Sequence, residues 1–219
     1  MIQALIFDMD GTLVDSEGLH YEAWKNVLAD HNVKNFPFED FVSYVGTSNE
    51  KLAEDYIKSG DLAISIEALV AEKQLIYLEM IQDITLLPGV AATIERYYGT
   101  FRLAVASSSH SIELEKILAT INLRDCFELV IGGDLVSRKK PDPEIYIKTK
   151  NLLGLQAHQC VAFEDSEAGL NAAKNAGMYG IAVPHGLSRH HNFERADLVV
   201  DRIDFADDTL LRSLSRSPA

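Results

Sequence analysis

Short apolar runs alternate along this chain with longer amphipathic stretches, and that alternation limits the possible fold more than any other feature. Ala4–Phe7, Arg102–Ala106, Leu129–Ile131, Val161–Phe163 and Ile181–Val183 are brief, rich in β-branched or aromatic residues, and bounded by Gly, Ser, Asp or Pro. This pattern predicts buried strands. Between them Val90–Tyr98, Ile112–Ile121, Glu144–Leu153 and Ala168–Ala176 carry helical spacing. Strand and helix in alternation imply an α/β chain with a mostly parallel sheet covered on both faces. Pro141 and Pro143 precede a predicted helix start and Gly177 follows a predicted end, where each residue costs least.

One stretch breaks the rhythm. From about Ser16 to Ile84 there is no convincing strand, and His20–His31, Glu50–Ser59 and Ile66–Gln82 read as helices. Alternation resumes at Leu87-Pro88-Gly89. The expectation is a helical domain of residues 16–85 inserted into a core of residues 1–15 and 86–219, through linkers near Asp15–Gly18 and Thr85–Gly89. A helical layer packed on the same core is the alternative. The tail Ser213–Ala219 is expected to fray.

Composition narrows the function classes. Against 33 Asp and Glu the chain has 20 Lys and Arg, a net charge of −13. So acidic a chain lacks the footprint for nucleic acid or anionic membranes, and an anionic substrate must be attracted locally. Cys126 and Cys160 each lie in an apolar run, which predicts two buried thiols rather than a disulfide framework or zinc site. No apolar stretch approaches the roughly 20 residues of a membrane span. Asp8 and Asp10 come too early for a signal peptide. A soluble, cytoplasmic protein is expected.

The first strand runs into Asp8-Met9-Asp10-Gly11-Thr12-Leu13-Val14-Asp15. Carboxylates two residues apart on an extended backbone point the same way. Their repulsion calls for a cation or a shared proton. A lone D-x-D can also be a cap or turn. Three further strand ends add weight. Ala106 leads into Ser107-Ser108-Ser109-His110, where a hydroxyl and backbone N–H groups before a helix suit a phosphate, although Ser109 or Ser111 can equally be a helix cap. Arg138-Lys139-Lys140 precedes Pro141; such runs are usually a solvated face, but Lys140 beside a Pro-rich turn can aim inward. The fourth strand ends in Glu164-Asp165-Ser166. Ligands bind at this edge of open α/β sheets. The four carboxylates Asp8, Asp10, Glu164 and Asp165 would exclude a phosphate dianion unless Lys140 and a cation offset them. Hard oxygen ligands with a phosphate suit Mg²⁺.

D-M-D-G-T-L-V-D-S, the Ser107 strand end, Lys140-Pro141 and E-D-S-E-A-G together resemble the haloacid dehalogenase superfamily, in matching order over nearly the whole chain. The resemblance implies a Rossmann-like core in which the strands bearing Asp8, Ser107 and Asp165 lie side by side. The insert resembles the helical cap of the group containing β-phosphoglucomutase and many small phosphatases. Dehalogenase members lack the second motif aspartate, so Asp10 argues for phosphoryl transfer. The resemblance makes Asp8 the nucleophile and Asp10 the acid and base, with Thr12 helping to hold Asp10. Ser107 and the Ser108 N–H hold the phosphoryl group, and Lys140 neutralises it. Mg²⁺ binds Asp8, the Asp10 carbonyl and Asp165, with Glu164 as a further ligand or a partner behind them.

Within the insert, the resemblance places His20 where a histidine of the mutase group reaches substrate; an ordinary helix-face histidine is the other reading. Lys73 matches a cap lysine of the mutase, whereas helical spacing alone makes it a surface lysine. In Gly46-Thr47-Ser48-Asn49, Asn49 stands where the mutase has an arginine that holds the non-reacting phosphate. Trp24, Tyr77 and Tyr97 are expected to be packing, and His185, His190 and His191 to lie in a solvent-exposed loop. The resulting expectation is a Mg²⁺-dependent phosphatase of a small phosphorylated metabolite, a sugar phosphate. It would bind no nucleic acid or membrane and would be a monomer or weak dimer. The rivals are β-phosphoglucomutase or another phosphomutase, a phospho-acceptor switch, and a degenerate binding protein.

Overall fold

The computed structural model describes residues 1–45, 47–60 and 62–214. Gly46 and the last five residues of the tail expected to fray lie outside these. In chain order the elements are β1 (Ala4–Phe7), β2 (Val14–Asp15), α1 (Glu17–Asp30), α2 (Phe38–Val42), α3 (Asn49–Gly60), α4 (Ile66–Met80), β3 (Thr85–Leu86), α5 (Val90–Tyr97) and β4 (Arg102–Ala106). There follow α6 (Ser111–Thr120), β5 (Leu129–Ile131), α7 (Glu144–Leu152), β6 (Cys160–Glu164), α8 (Glu167–Asn175), β7 (Tyr179–Ala182), β8 (Leu198–Val199) and α9 (Asp208–Leu214).

Six strands form one parallel sheet in the order β5-β4-β1-β6-β7-β8. Alternate residues of a strand face opposite sides, and here the two sides differ in bulk. Leu5, Phe7, Leu103, Val105, Val161 and Phe163 enter one cluster with α5, α6 and α9. Phe7 stacks on Phe163 at 4.8 Å between centroids. On the other side Ala4, Ala104, Ala106 and Ala162 let α7 and α8 approach closely, packing Tyr146, Ala172 and Ala173. Helices α1–α4 bury a separate cluster around Trp24, Leu28, Phe36, Phe41, Leu52 and Leu69.

The expected linkers are zipped together rather than loose. Val14 pairs with Leu86 and Asp15 with Thr85 in a two-stranded antiparallel ribbon. Beyond this ribbon, three elements were not read from the sequence: α2 is little more than one turn, β8 is two residues on a sheet edge, and α9 is seven residues, all too short for periodicity to register. Cys160 is buried as expected, but Cys126 is only partly so, at the end of a 3-10 turn. Among the described residues no helix is long and apolar enough to cross a membrane.

Candidate active site

β4, β1 and β6 are adjacent, so their C-terminal ends bring Ser107, Asp8 and Asp165 to one edge. After β1 the chain turns sharply: the Met9 carbonyl accepts the N–H groups of Thr12, Leu13 and Val14. Gly11 makes this possible at φ +75°, and a Cβ there would lie 2.5 Å from Asp165 Oδ2. Glycine is therefore required by both the turn and the close approach of a carboxylate.

Lys140 aims inward. Its ammonium donates to Asp8 Oδ1 and Glu164 Oε1, each at 2.6 Å, and to the Ala106 carbonyl at 2.9 Å. The basic run thus splits into three roles. Arg138 is exposed and pairs with Asp142, while Lys139 pairs with Glu50 of α3 at 2.7 Å. Lys140 alone enters the site. Glu164 sits wholly buried behind Asp8, also bound by the Tyr146 hydroxyl, with its Oε2 unpartnered. Gly169 of α8 lets the helix pass this carboxylate: a Cβ there would lie 1.9 Å from Oε2.

Asp8, Glu164 and Asp165 present oxygens within 4.8 Å of one another. Burial, helped by Glu164 and Asp10 and opposed by Lys140, pushes the Asp8 carboxyl up to about 8. Burial likewise raises Asp165 far above the carboxylate range, with Asp8 and Glu164 adding to it. Buried, mutually repelling oxygens, one of them orphaned, are a donor set that fits a hard divalent cation such as Mg²⁺.

Asp10 is held quite differently. Its Oδ1 accepts from Ser16 Oγ at 2.7 Å and from His20 Nε2 at 3.2 Å, and its Oδ2 accepts from Ser109 Oγ at 2.7 Å. Burial opposes ionisation, but the hydrogen bond to His20 with the two serine bonds outweighs it, and the carboxyl falls well below its ordinary range. Thr12 takes no part: its buried hydroxyl has no partner, and Ser16, His20 and Ser109 do the holding instead. Ser109 is not a helix cap, because its hydroxyl is committed to Asp10. Ser107 and Ser108 line the pocket, and the Ser109 N–H donates to Ser107 Oγ at 3.1 Å.

Lys73 is wholly buried, not on the surface. Leu69, Lys73 and Tyr77 stand four residues apart on one face of α4, and that face packs against α1. Burial lowers the Lys73 ammonium, against the pull of Glu113, Asp10 and Glu17. His20 stacks flat on Tyr77 at 4.1 Å, and the Lys73 ammonium lies 4.4 Å from the same ring centre. Trp24 and Tyr97 are buried as expected, but Trp24 also donates from Nε1 to Asn49 Oδ1 at 3.2 Å.

Besides Ser16 and Tyr146, two residues of the site escaped the sequence reading. Glu17 lines the pocket beside Asp10 and His20, and burial, with Asp10 adding, pushes its carboxyl up to about 8. His185 was read as a solvent-exposed loop residue, yet its Nε2 is buried and unpartnered. That atom would lie 2.9 Å from a Cβ on Gly11, next to Asp165 Oδ2. His190 is exposed.

Over residues 5–183 the chain matches the haloacid dehalogenase-like hydrolases. It is 34% identical to the protein CbbY of Rhodobacter capsulatus, over 90% of this chain and 91% of that one. It is 31% identical to the fructose-1-phosphate phosphatase YqaB of Escherichia coli, over 82% and 95%. The crystal structure of a CbbY mutant from Rhodobacter sphaeroides in complex with xylulose-(1,5)bisphosphate superposes with a TM-score of 0.86 at 29% identity, covering 93% of this chain and 96% of that one. The order of the sheet, the convergence of three strand ends with Lys140 and these matches agree: the chain belongs to the haloacid dehalogenase-like hydrolases.

Proposed function

We propose that this chain is a Mg²⁺-dependent phosphatase of a small phosphorylated metabolite, a sugar phosphate, acting through an aspartyl-phosphate on Asp8. One observation carries this reading. Asp8, held by Lys140, and Asp10, held by His20 and Ser109, line one pocket with Ser107 and Asp165. The cavity of about 100 Å³ suits a phosphoryl group on a small alcohol. Residues 16–85 act as a cap domain over a core of residues 1–15 and 86–219, which supply all the groups at the sheet edge.

Asp8 attacks phosphorus through the oxygen not bound to Lys140, and the ester bond to the leaving oxygen breaks. Asp10 gives that oxygen its proton, then takes one from the water that cleaves the acyl phosphate. Its ionised state here suits the second step. The first requires a proton on Asp10, so the leaving oxygen must take the place of one of its present donors. Ser107 and the Ser108 N–H hold the phosphoryl oxygens, while Lys140 offsets their charge. Mg²⁺, when bound to Asp8, Asp165 and the Asp10 carbonyl with Glu164 behind them, supplies the positive charge that allows a dianion to enter. Asn49 offers no charge for a second phosphate, which favours hydrolysis over mutase chemistry.

The test is phosphate release from a panel of phosphorylated sugars, with Mg²⁺ and with chelator. Mg²⁺-dependent release that Asp8→Asn abolishes is expected. No release from any member would favour a switch or a binding protein.

A further inference from the structure

The wall of the pocket facing Asp8 carries no positive charge among the described residues. It is built from Trp24, Phe41, Tyr44 and Leu52, with Thr47, Ser48 and Asn49 as uncharged polar members and Glu17 at its side. The Asn49 carbonyl oxygen is already committed to Trp24. The nearby lysines are engaged elsewhere and do not line the cavity: Lys51 pairs with Asp55 at 2.6 Å and Lys139 with Glu50. Lys73 lies behind the His20 ring and meets the pocket only through it.

One other feature of this wall could attract an anion, the N-terminus of α3. That end is occupied. Ser48 Oγ accepts the Lys51 N–H at 3.3 Å, and the carboxylate of Glu50 stands in the first turn. Glu17, by contrast, accepts no hydrogen bond from any described residue. Its carboxyl is half-buried at the side of the pocket, so an oxygen there is open to a hydroxyl that a ligand brings.

We propose that the site takes a phosphate monoester of an uncharged polyol, with Glu17 accepting a hydroxyl of the leaving group, and that it rejects bisphosphates. A second phosphate would be desolvated against an aromatic wall, with no cation to pair it. A sugar hydroxyl instead meets a waiting acceptor, and the carbon face of the sugar meets the aromatic rings. This inference rests on the phosphatase reading.

The experiment compares kcat/KM for aldose and ketose monophosphates with that for the matching bisphosphates, by phosphate release at saturating Mg²⁺. The best monophosphate should exceed its bisphosphate by at least about 10-fold. Glu17→Leu should narrow that gap, lowering kcat/KM for the monophosphate and leaving that for the bisphosphate unchanged. Asn49→Arg should raise it for the bisphosphate alone. A bisphosphate consumed as efficiently as its monophosphate overturns the proposal while leaving the phosphatase reading intact. So does a gap that Glu17→Leu leaves unchanged. No phosphate from either class overturns the phosphatase reading, and this proposal with it.

Discussion

The buried ammonium of Lys73 donates to Nδ1 of His20 at 2.7 Å. With Nδ1 accepting, the neutral ring carries its single N–H on Nε2, the atom that donates to Asp10 Oδ1. Lys73 therefore decides which way His20 presents itself, and Tyr77 fixes the plane of the ring. Lys73→Met should lower kcat by about 10–100-fold with little change in Mg²⁺ affinity, because the loss falls on proton transfer alone. Lys73→Arg should recover part of it. Unchanged kcat in a folded Lys73→Met protein would show that His20 needs no such partner.

Asp10→Asn separates two roles of one residue. Its carbonyl stays in place for a metal ion while its carboxylate is lost. Turnover should fall by about 10²–10⁴-fold, and Mg²⁺ binding by calorimetry should persist. Loss of Mg²⁺ binding would mean that the side chain itself is a ligand.

Asp8 and Glu17 both have folded pKa values raised to about 8, from ordinary values of 3.8 and 4.5. The folded state thus holds protons that the unfolded state releases. Their stabilising contribution is complete below about pH 4 and is lost as pH rises toward 8. The melting temperature of metal-free protein should fall across that window, and Mg²⁺ should flatten the fall by pairing Asp8. Asp10 has the opposite sign: its contribution is present above pH 3.8 and is lost only in stronger acid. A melting temperature independent of pH between 5 and 8 without metal would contradict this account.

Gly169→Ala should destabilise the protein by about 1–3 kcal/mol, as other overpacked sites do. In an open helix position the same change would stabilise by about 0.4–1 kcal/mol. The sign of the shift in chemical denaturation distinguishes the two cases, since only a Glu164 locked by Lys140 and Tyr146 resists the added methyl group.

What the sequence revealed follows from where each residue's signal lay. β1, β4 and β6 were legible because a buried parallel strand is an unbroken apolar run, and Asp8, Ser107, Lys140 and Asp165 because they punctuate the ends of such runs or turns. Lys73 was misread on spacing because a lysine on a helix is usually solvated. The clue was its register with Leu69 and Tyr77, an i, i+4 row that is otherwise buried. His185 left no local trace at all. Pro184, Gly186 and Ser188 mark a surface loop, and only the tertiary approach of that loop to Gly11 buries the ring nitrogen. Glu17 looked like a helix-start carboxylate, which it also is.

The register of β1 has a consequence for how the molecule is made. Ala4 pairs with Arg102 on one side and with Cys160 on the other. The strand that carries Asp8 comes first of the three in the chain, yet one edge must wait for residue 102 and the other for residue 160 before it finds its partner. Closing loops of that length delays the central pairing and exposes an apolar strand meanwhile. Lys140 and Glu164 arrive with the later segments, so Asp8 gains its neighbours only as the sheet closes. A half-translated chain carries no half-formed catalyst.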